Sequence, residues 1–544
     1  MRGTFRHAGT VVPCRPGSPY GTHGWAERPP PTAHPPHGRS RAPAYTCAAA
    51  LPSPALGCDP GTPPGRSTPV PADPPPPSPL RVAVVGAGPS GVYAAQGLVK
   101  DEGATPAITV DVLDRLPCPY GLVRYGVAPD HEKIKSLQNS LRTVLEHPRI
   151  RFLGNVEVGP GGIRPDELLG MYHAVVYCVG AATDRRLGIP GEELRGSYSA
   201  TDFVSWYSAH PDAAGGEFAL GARSAVVIGV GNVAVDVARV LVRGVEELRH
   251  TDIPQGALDS LERSTVSEVS MVGRRGPSQA KFTTKELREL GTLPGVGVSV
   301  RTDELALDPG CEDPASLPTA VRRNVTVLRD WAESAADGDA ESRREEPQEE
   351  PRDARGIQLR FFLRPSEILD DGTGGVRAVR FERTAPDGGG GVTGTGRYED
   401  IEAQLVLRSV GYHGVPLAGL PFDERSGTVP HAAGRVLREG APSPGEYVAG
   451  WIKRGPTGVI GTNRPCAKET VGSLLADAGA LLEARGPLPD DPLEALRAAG
   501  RVPVAWPGWL GIESAEAELG RSLERGTVKI PDWEGLLSAA RLPA

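Results

Sequence analysis

The chain has 544 residues, 39% of them apolar and 23% charged, with a formal charge of −8. That length exceeds one simple core and predicts two or three domains, and the absence of any run of 18 or more apolar residues argues against a membrane span. Seven cysteines lie scattered without a CxxC pair, which argues against an iron–sulfur cluster or a dithiol reductase and suits a reducing cytosol.

Residues 1–79, with "HPPHGRSRAPAY" and "PADPPPPSP", are rich in Pro, Gly and Ser and carry no strand or helix periodicity. They predict a disordered extension, and an upstream mis-called start explains them equally well. Their net charge of +4 leaves −12 on the remainder, which argues against nucleic-acid binding.

The folded part opens with "LRVAVVGAGPSGVYAAQGLVK", residues 80–100: an apolar strand, then Gly86, Gly88 and Gly91 in GxGxxG spacing, then a helix pattern. Glycines at that spacing allow a tight turn and bring backbone N–H groups to a pyrophosphate at the helix start. The next strand, "ITVDVLDR", ends on Asp114, an acid placed to accept hydrogen bonds from a ribose.

A second unit begins at "SAVVIGVGNVAVDVARVLV", residues 224–242, where Gly229, Gly231 and Ala234 repeat the fingerprint as GxGxxA. Two dinucleotide turns in one chain predict two dinucleotides, most simply a hydride passing from a nicotinamide to a flavin. After the strand "VSMVG", where an NAD site would carry an acid, stand Arg274 and Arg275. Guanidinium groups favour a 2′-phosphate that an acid would repel, so the predicted coenzyme is NADP(H). The long gap between Gly231 and Arg274 reads as a helical insertion over residues 243–264.

"TKELREL" places Glu286 and Glu289 three apart on one helical face. In "TAVRRNVTVLRDW", Arg322 and Arg329 are seven apart with Arg323 beside the first, a candidate docking face for an acidic partner. Lys453 and Arg454 form a second candidate pair. Residues 333–355 are charge-dense and Pro-interrupted and read as a solvated loop.

Taken together, "VVGAGPSG", "PYGLVRYGVAPDH", "GIPGEE", "GVGNVAVDVAR", "GRRGPSQAKFTTKELREL" and "GWIKRGPTGVIGTN" resemble, in order, the adrenodoxin reductase type of NADPH-ferredoxin reductase. The resemblance spans residues 80–540. It implies an α/β fold of two Rossmann-like domains, with the NADP domain (184–439) inserted into an FAD domain built from residues 80–183 and 440–544. It implies FAD contacts at Ser90, Asp114, Leu122, Val156, Trp451, Gly458, Val459 and Ile460, beside the glycines of the first turn. It also implies NADPH contacts at Val230, Gly231, Asn232, Val233, Arg274, Arg275, Glu286 and Gly458. His131 matches an active-site histidine that pairs with one glutamate, Glu289 in the first instance. Glu132, Lys281 and Asp114 depart from the commoner family residues without touching that chemistry.

The implied activity is hydride transfer from NADPH to FAD and single-electron release to a ferredoxin, which can feed a cytochrome P450, in the cytoplasm. Three rivals stand beside it. A glutamate-synthase small-subunit-like carrier would need N-terminal cluster cysteines, and a disulfide reductase would need a cysteine pair. A flavin-binding redox sensor would use the Pro-rich tail as a partner site.

Overall fold

The computed structural model describes residues 79–100, 107–342, 355–486, 488 and 491–541, with side chains left aside over 335–342. The predicted extension over residues 1–79 lies outside the described residues, apart from Pro79.

Two parallel sheets organise the chain. The first has eight strands in the order His431–Ala432, Arg435–Arg438, Ala441–Val448, Ala174–Tyr177, Leu80–Val85, Ile108–Leu113, Ile150–Gly154, Val504–Ala505. Its five central strands pair in parallel, and the short strands at both edges pair antiparallel. Strands such as "LRVAVV" are apolar on both faces because both faces are covered. Val82 and Val84 pack with the helices Pro89–Val99 and Asn463–Arg485, whereas Ala83 and Val85 face the helix Pro165–Met171.

The second sheet runs Ser197–Ser199, Leu405–Arg408, Ser224–Ile228, Glu268–Val272, Arg355–Arg360, Val296–Val300, parallel throughout. Ala225 and Val227 bury against the helices Ala200–Tyr207 and Asn232–Val242. The opposite face, Val226 and Ile228, is covered by an antiparallel meander, Leu363–Asp370, Val376–Pro386 and Val392–Glu402, through Val379 and Phe381. The second sheet is thus nested in sequence within the first. The two crossings between them, Thr183–Asp184 and Tyr412–His413, pair antiparallel with each other.

Two boundaries differ from the sequence reading. The hairpin around residues 431–438 already belongs to the first sheet, so the chain re-enters it before residue 440. Its short strands carry turn residues rather than an apolar run, which hid them. The 333–355 segment does not begin as a loop, because the helix Thr319–Ser342 continues into it. Its Ala and Glu residues sustain the helix as far as Ser342. Residues 343–354 lie outside the described residues. The 243–264 insertion holds two helices, Val245–Arg249 and Gln255–Glu262.

Candidate active site

The first turn is closed to anything but glycine at two points. Gly86 sits at φ +110°, and a Cβ there would lie 2.5 Å from the Cys178 carbonyl oxygen. At Gly91 a Cβ would lie 1.9 Å from the Gly86 carbonyl oxygen, so the helix Pro89–Val99 can press directly on the turn. No side chain caps that helix at Gly88, which leaves its first N–H groups for a ligand. Asp114 stands at the end of the second strand, as expected. Its carboxylate, however, already accepts from Ala87 N–H (2.7 Å) and Leu116 N–H (2.9 Å), and burial raises its pKa. Asp114 therefore also fixes the turn, with lone pairs to spare for a ribose.

The returning segment supplies the other wall. Gly450, at φ +81°, precedes the short helix Trp451–Arg454, and a Cβ on it would lie 2.5 Å from Ser90 Oγ. Ser90 Oγ and Trp451 Nε1 are both buried without a hydrogen-bond partner. The Trp451 ring leans on Tyr412 with centroids 5.2 Å apart. Gly458 adopts φ +82°, Val459 is 60% exposed and Ile460 starts a short helical turn before Asn463–Arg485. Leu122 opens the helix Leu122–Tyr125 and is partly exposed, while Val156 is buried and donates its N–H to the Asp114 carbonyl. An uncapped helix start, two orphaned donors and a cradle that a methyl group would fill fit a flavin dinucleotide along this edge. Lys453 is no docking residue. It is buried on Glu469 (2.7 Å) and Thr470 (3.0 Å).

The second turn repeats the design. Gly229 takes φ +144°, where a Cβ would lie 2.2 Å from the Ser409 carbonyl oxygen, and the helix Asn232–Val242 starts uncapped at Gly231. The Val230 carbonyl accepts Lys281 N–H at 2.8 Å, and Asn232 Oδ1 accepts Thr283 N–H at 2.8 Å. Those two bonds tie the turn to the segment carrying the arginines and glutamates; Val233 is half-buried behind them. Arg274 is exposed and Arg275 half-buried, and among the described residues neither has a carboxylate partner. Their backbone is fixed by Thr384 Oγ1 donating to the Arg274 carbonyl (2.9 Å) and Phe362 N–H to that of Arg275 (3.2 Å). Two guanidinium groups on a held backbone, free of internal partners, fit a 2′-phosphate.

Between the turns, His131 is buried at the start of the helix Glu132–Lys135. Its Nε2 lies 3.0 Å from Glu289 Oε2 and 3.2 Å from Glu286 Oε2, so both glutamates of the helix Thr284–Leu290 reach it. One ring N–H has one direction. It is directed at Glu289, and Glu286 Oε2 is left buried without a well-formed bond. Burial pulls the Glu289 carboxyl up, but Lys285 and His131 outweigh it and hold that carboxyl below its usual range.

The sequence reading missed what lies behind His131. Asp130 accepts two bonds from Arg239, at 2.7 and 3.0 Å, and one from Arg243 at 2.6 Å. Arg239 also donates to Asp236 at 2.9 Å, and Asp236 lies 3.8 Å from His131 Nδ1. The signal was present: an Asp and an Arg three apart inside "NVAVDVARVLV", an otherwise apolar helix.

Of the three arginines predicted to dock a partner, two are engaged locally. Arg329 donates to the Cys311 carbonyl, and Arg322 to the carbonyls of Ala315 (3.3 Å) and Leu317 (3.2 Å). Arg323 is exposed and lines a cleft of about 480 Å³ with Thr284, Lys285, Arg288, Glu289 and Thr292.

Residues 80–290 match the family described as pyridine nucleotide-disulphide oxidoreductase. The NADPH-ferredoxin reductase FprA of Mycobacterium tuberculosis is 47% identical over 408 residues, covering 74% of this chain and 84% of that protein. The mitochondrial NADPH:adrenodoxin oxidoreductase of Arabidopsis thaliana is 39% identical over 476 residues, covering 85% of this chain and 95% of its own length. The solved structure of M. tuberculosis FprA in complex with NADPH superposes with a TM-score of 0.76 at 43% identity, covering 85% of this chain and 99% of that one. At that identity and coverage, and with both phosphate turns and the His131 cluster in place, the chain belongs to the FprA and adrenodoxin oxidoreductase family.

Proposed function

We propose that the protein is an FAD-dependent NADPH:ferredoxin oxidoreductase, a ferredoxin–NADP(+) reductase by reaction class. The observation that carries this reading is the meeting of His131 with Glu286 and Glu289. The segment after the first dinucleotide turn and the segment after the second converge on one buried point. We assign the first sheet, with residues 80–183 and the C-terminal stretch, to the flavin and the intervening residues to the coenzyme.

When bound, the flavin accepts a hydride as an electron pair and gives electrons up singly, which matches NADPH to an iron–sulfur acceptor. The chain's own residues position and exclude. The helix start at Val230–Val233 faces the coenzyme pyrophosphate, and Arg274 and Arg275 bind its 2′-phosphate. His131, Glu286 and Glu289 set the orientation and local charge at the nicotinamide end. Trp451 and Tyr412 pack on each other beside the site, and Gly458, where a Cβ would lie 2.6 Å from Thr462 Oγ1, would let this turn approach both the flavin and the coenzyme. No side-chain acid or base is required, because hydride transfer moves no proton.

The acceptor is recognised by charge. Lys285, Arg288 and Arg323 are exposed around a cleft that includes Glu289, which itself touches His131. An acidic ferredoxin fits a cationic mouth opening beside the redox centre, against an otherwise acidic chain. Such a ferredoxin can supply a cytochrome P450.

The disulfide-reductase rival lacks its chemistry among the described residues. Cys118, Cys178, Cys311 and Cys466 are buried free thiols, and burial pushes the first three up to about 11, 12 and 12. Unpaired thiols suit a reducing cytoplasm, and no described helix is long and apolar enough to cross a membrane.

The deciding experiment follows NADPH oxidation by the yellow protein with ferricyanide, then with cytochrome c in the presence and absence of a ferredoxin. Cytochrome reduction that depends on ferredoxin supports the assignment. Dye reduction alone would remove the named acceptor, and no dye reduction would leave a flavin-binding sensor.

A further inference from the structure

The buried polar cluster behind His131 is larger than the proposed chemistry uses. Three elements feed it: the Asp130–His131 segment, the helix Asn232–Val242 with Arg243 at its end, and the helix Thr284–Leu290. Four carboxylates (Asp130, Asp236, Glu286, Glu289) face the permanent cations Arg239, Arg243 and Lys285, with His131 among them. Tyr207 and Tyr412 border the cluster near Asp236, and Glu247 takes up Arg243 from outside.

Arg239 is the centre of this arrangement. Its side chain is 1% exposed. Its Nε and Nη2 form a fork on Asp130, and Nη2 also reaches Asp236 one helical turn back. The third nitrogen, Nη1, is buried with no hydrogen bond, 3.6 Å from Glu289 Oε2 and 3.9 Å from Glu286 Oε2. A guanidinium left one-third unsatisfied in the interior is costly unless its charge is used. Here it faces the one oxygen, Glu286 Oε2, that His131 leaves without a donor.

We propose that Arg239 is a positioning residue for the NADPH half-reaction. It locks the His131 segment to the coenzyme-turn helix through Asp130 and supplies the buried positive charge that Glu286 and Glu289 face. This rests on the oxidoreductase reading but adds to it a residue that touches neither coenzyme nor flavin. The direction of the local titrations agrees. Burial would raise the Asp130 carboxyl, yet the arginines hold it at about 2. Burial pushes Asp236 up to about 6 against the pull of Arg239 and His131. Removing Arg239 takes the principal counter-charge from the whole set, whereas Lys would keep the charge and lose the fork.

The test uses FAD-loaded Arg239→Gln, Arg239→Lys and Asp130→Asn. Anaerobic bleaching of the flavin band by NADPH is followed from pH 5 to 9, and the NADP+ dissociation constant is measured calorimetrically over the same range. For Arg239→Gln, flavin reduction should fall about tenfold or more at pH 7, and the acid-side inflection in both rate and binding should rise by about one pH unit. Arg239→Lys should keep the wild-type inflection with a lower rate. Asp130→Asn, which leaves the arginine charge in place, should lower the rate and move the inflection the other way. If Arg239→Gln fails to retain FAD, the other two variants decide. Profiles that merely scale, with no inflection moving in any variant, overturn the proposal. A wild-type flavin that NADPH does not bleach would instead sink the oxidoreductase reading.

Discussion

His131 Nε2 and Glu289 Oε2 stand 3.0 Å apart although 158 residues separate them in the chain. Each is held by its own dinucleotide unit, so the bond reports on the register between the two. Glu289→Gln keeps a hydrogen-bonding side chain but removes the charge, and His131→Ala removes the contact altogether. Both should retain FAD. Flavin reduction by NADPH, read by stopped-flow absorbance, should slow about 10-fold to 100-fold in His131→Ala and less in Glu289→Gln. An unchanged rate constant in both variants would show that the pair is structural.

Coenzyme choice should reside in Arg274 and Arg275. Their guanidinium groups have no carboxylate partner among the described residues, so replacing them leaves no buried charge behind. A charge-assisted hydrogen bond contributes about 1.5–3 kcal/mol, which is roughly 10-fold to 150-fold. The double variant Arg274→Gln/Arg275→Gln should lose at least that factor in kcat/KM for NADPH while kcat/KM for NADH changes little. An equal loss for both coenzymes would place the arginines outside the 2′-phosphate site.

Both phosphate turns were legible in the sequence because their chemistry is local. Gly91 meets the Gly86 carbonyl inside its own turn, and Arg274 follows the strand Glu268–Val272 by two residues; the distant carbonyls of Cys178 and Ser409 that close on Gly86 and Gly229 were not needed to read the spacing. Burying the same strands on two faces required no more than apolar runs. The Asp130–Arg239–Asp236 network was not legible, since it depends on which helix packs behind His131. The roles of Arg322 and Arg329 were hidden for a related reason. Helical spacing marks a face but not the carbonyls of Ala315, Leu317 and Cys311 that meet it. The covering meander over residues 363–402 went unseen because its inward apolar positions, such as Val379 and Phe381, are interleaved with charged ones.

Docking of the acceptor should depend on the cationic cleft and not on Arg329. Lys285→Glu, Arg288→Glu and Arg323→Glu each reverse an exposed charge. Steady-state cytochrome c reduction through a ferredoxin should show a KM for ferredoxin raised about 3-fold to 30-fold, and a weaker dependence on ionic strength. Ferricyanide reduction should remain near wild type for Arg323→Glu, because among the described residues Arg323 makes no ion pair with Glu286 or Glu289, unlike Lys285. A ferredoxin KM that stays put in all three would move the docking surface elsewhere.

The C-terminal segment offers a stability test with a defined sign. Lys529 is 2% exposed, and its Nζ donates to the carbonyls of Arg124 (2.6 Å) and Ser208 (3.2 Å) and lies 3.2 Å from Asp252, which also pairs with Lys135. It thereby joins the short helix Leu122–Tyr125 of the first unit to the insertion of the second unit. Burial lowers the Lys529 pKa from 10.5 to about 7, against the attraction of Asp252. A depressed lysine binds its proton more weakly in the folded state than in the unfolded chain. Between about pH 7 and 10 the unfolded state therefore holds the extra proton, and this group makes stability rise with pH across that window. Asp252 runs in the opposite sense at the acid end. Its carboxyl is held below its ordinary value by the two lysines, so its contribution is present at neutral pH and is lost as the solution is acidified. Thermal unfolding of the FAD-loaded protein and of Lys529→Met, compared at matched pH above neutrality, isolates the lysine, because Lys529→Met also changes the titration of its partner Asp252 and that change is confined to the acid side. The stability difference, wild type minus variant, should climb from pH 7 to 10. A difference that is level across the alkaline window would mean that Lys529 keeps its proton at its ordinary pKa in the folded chain.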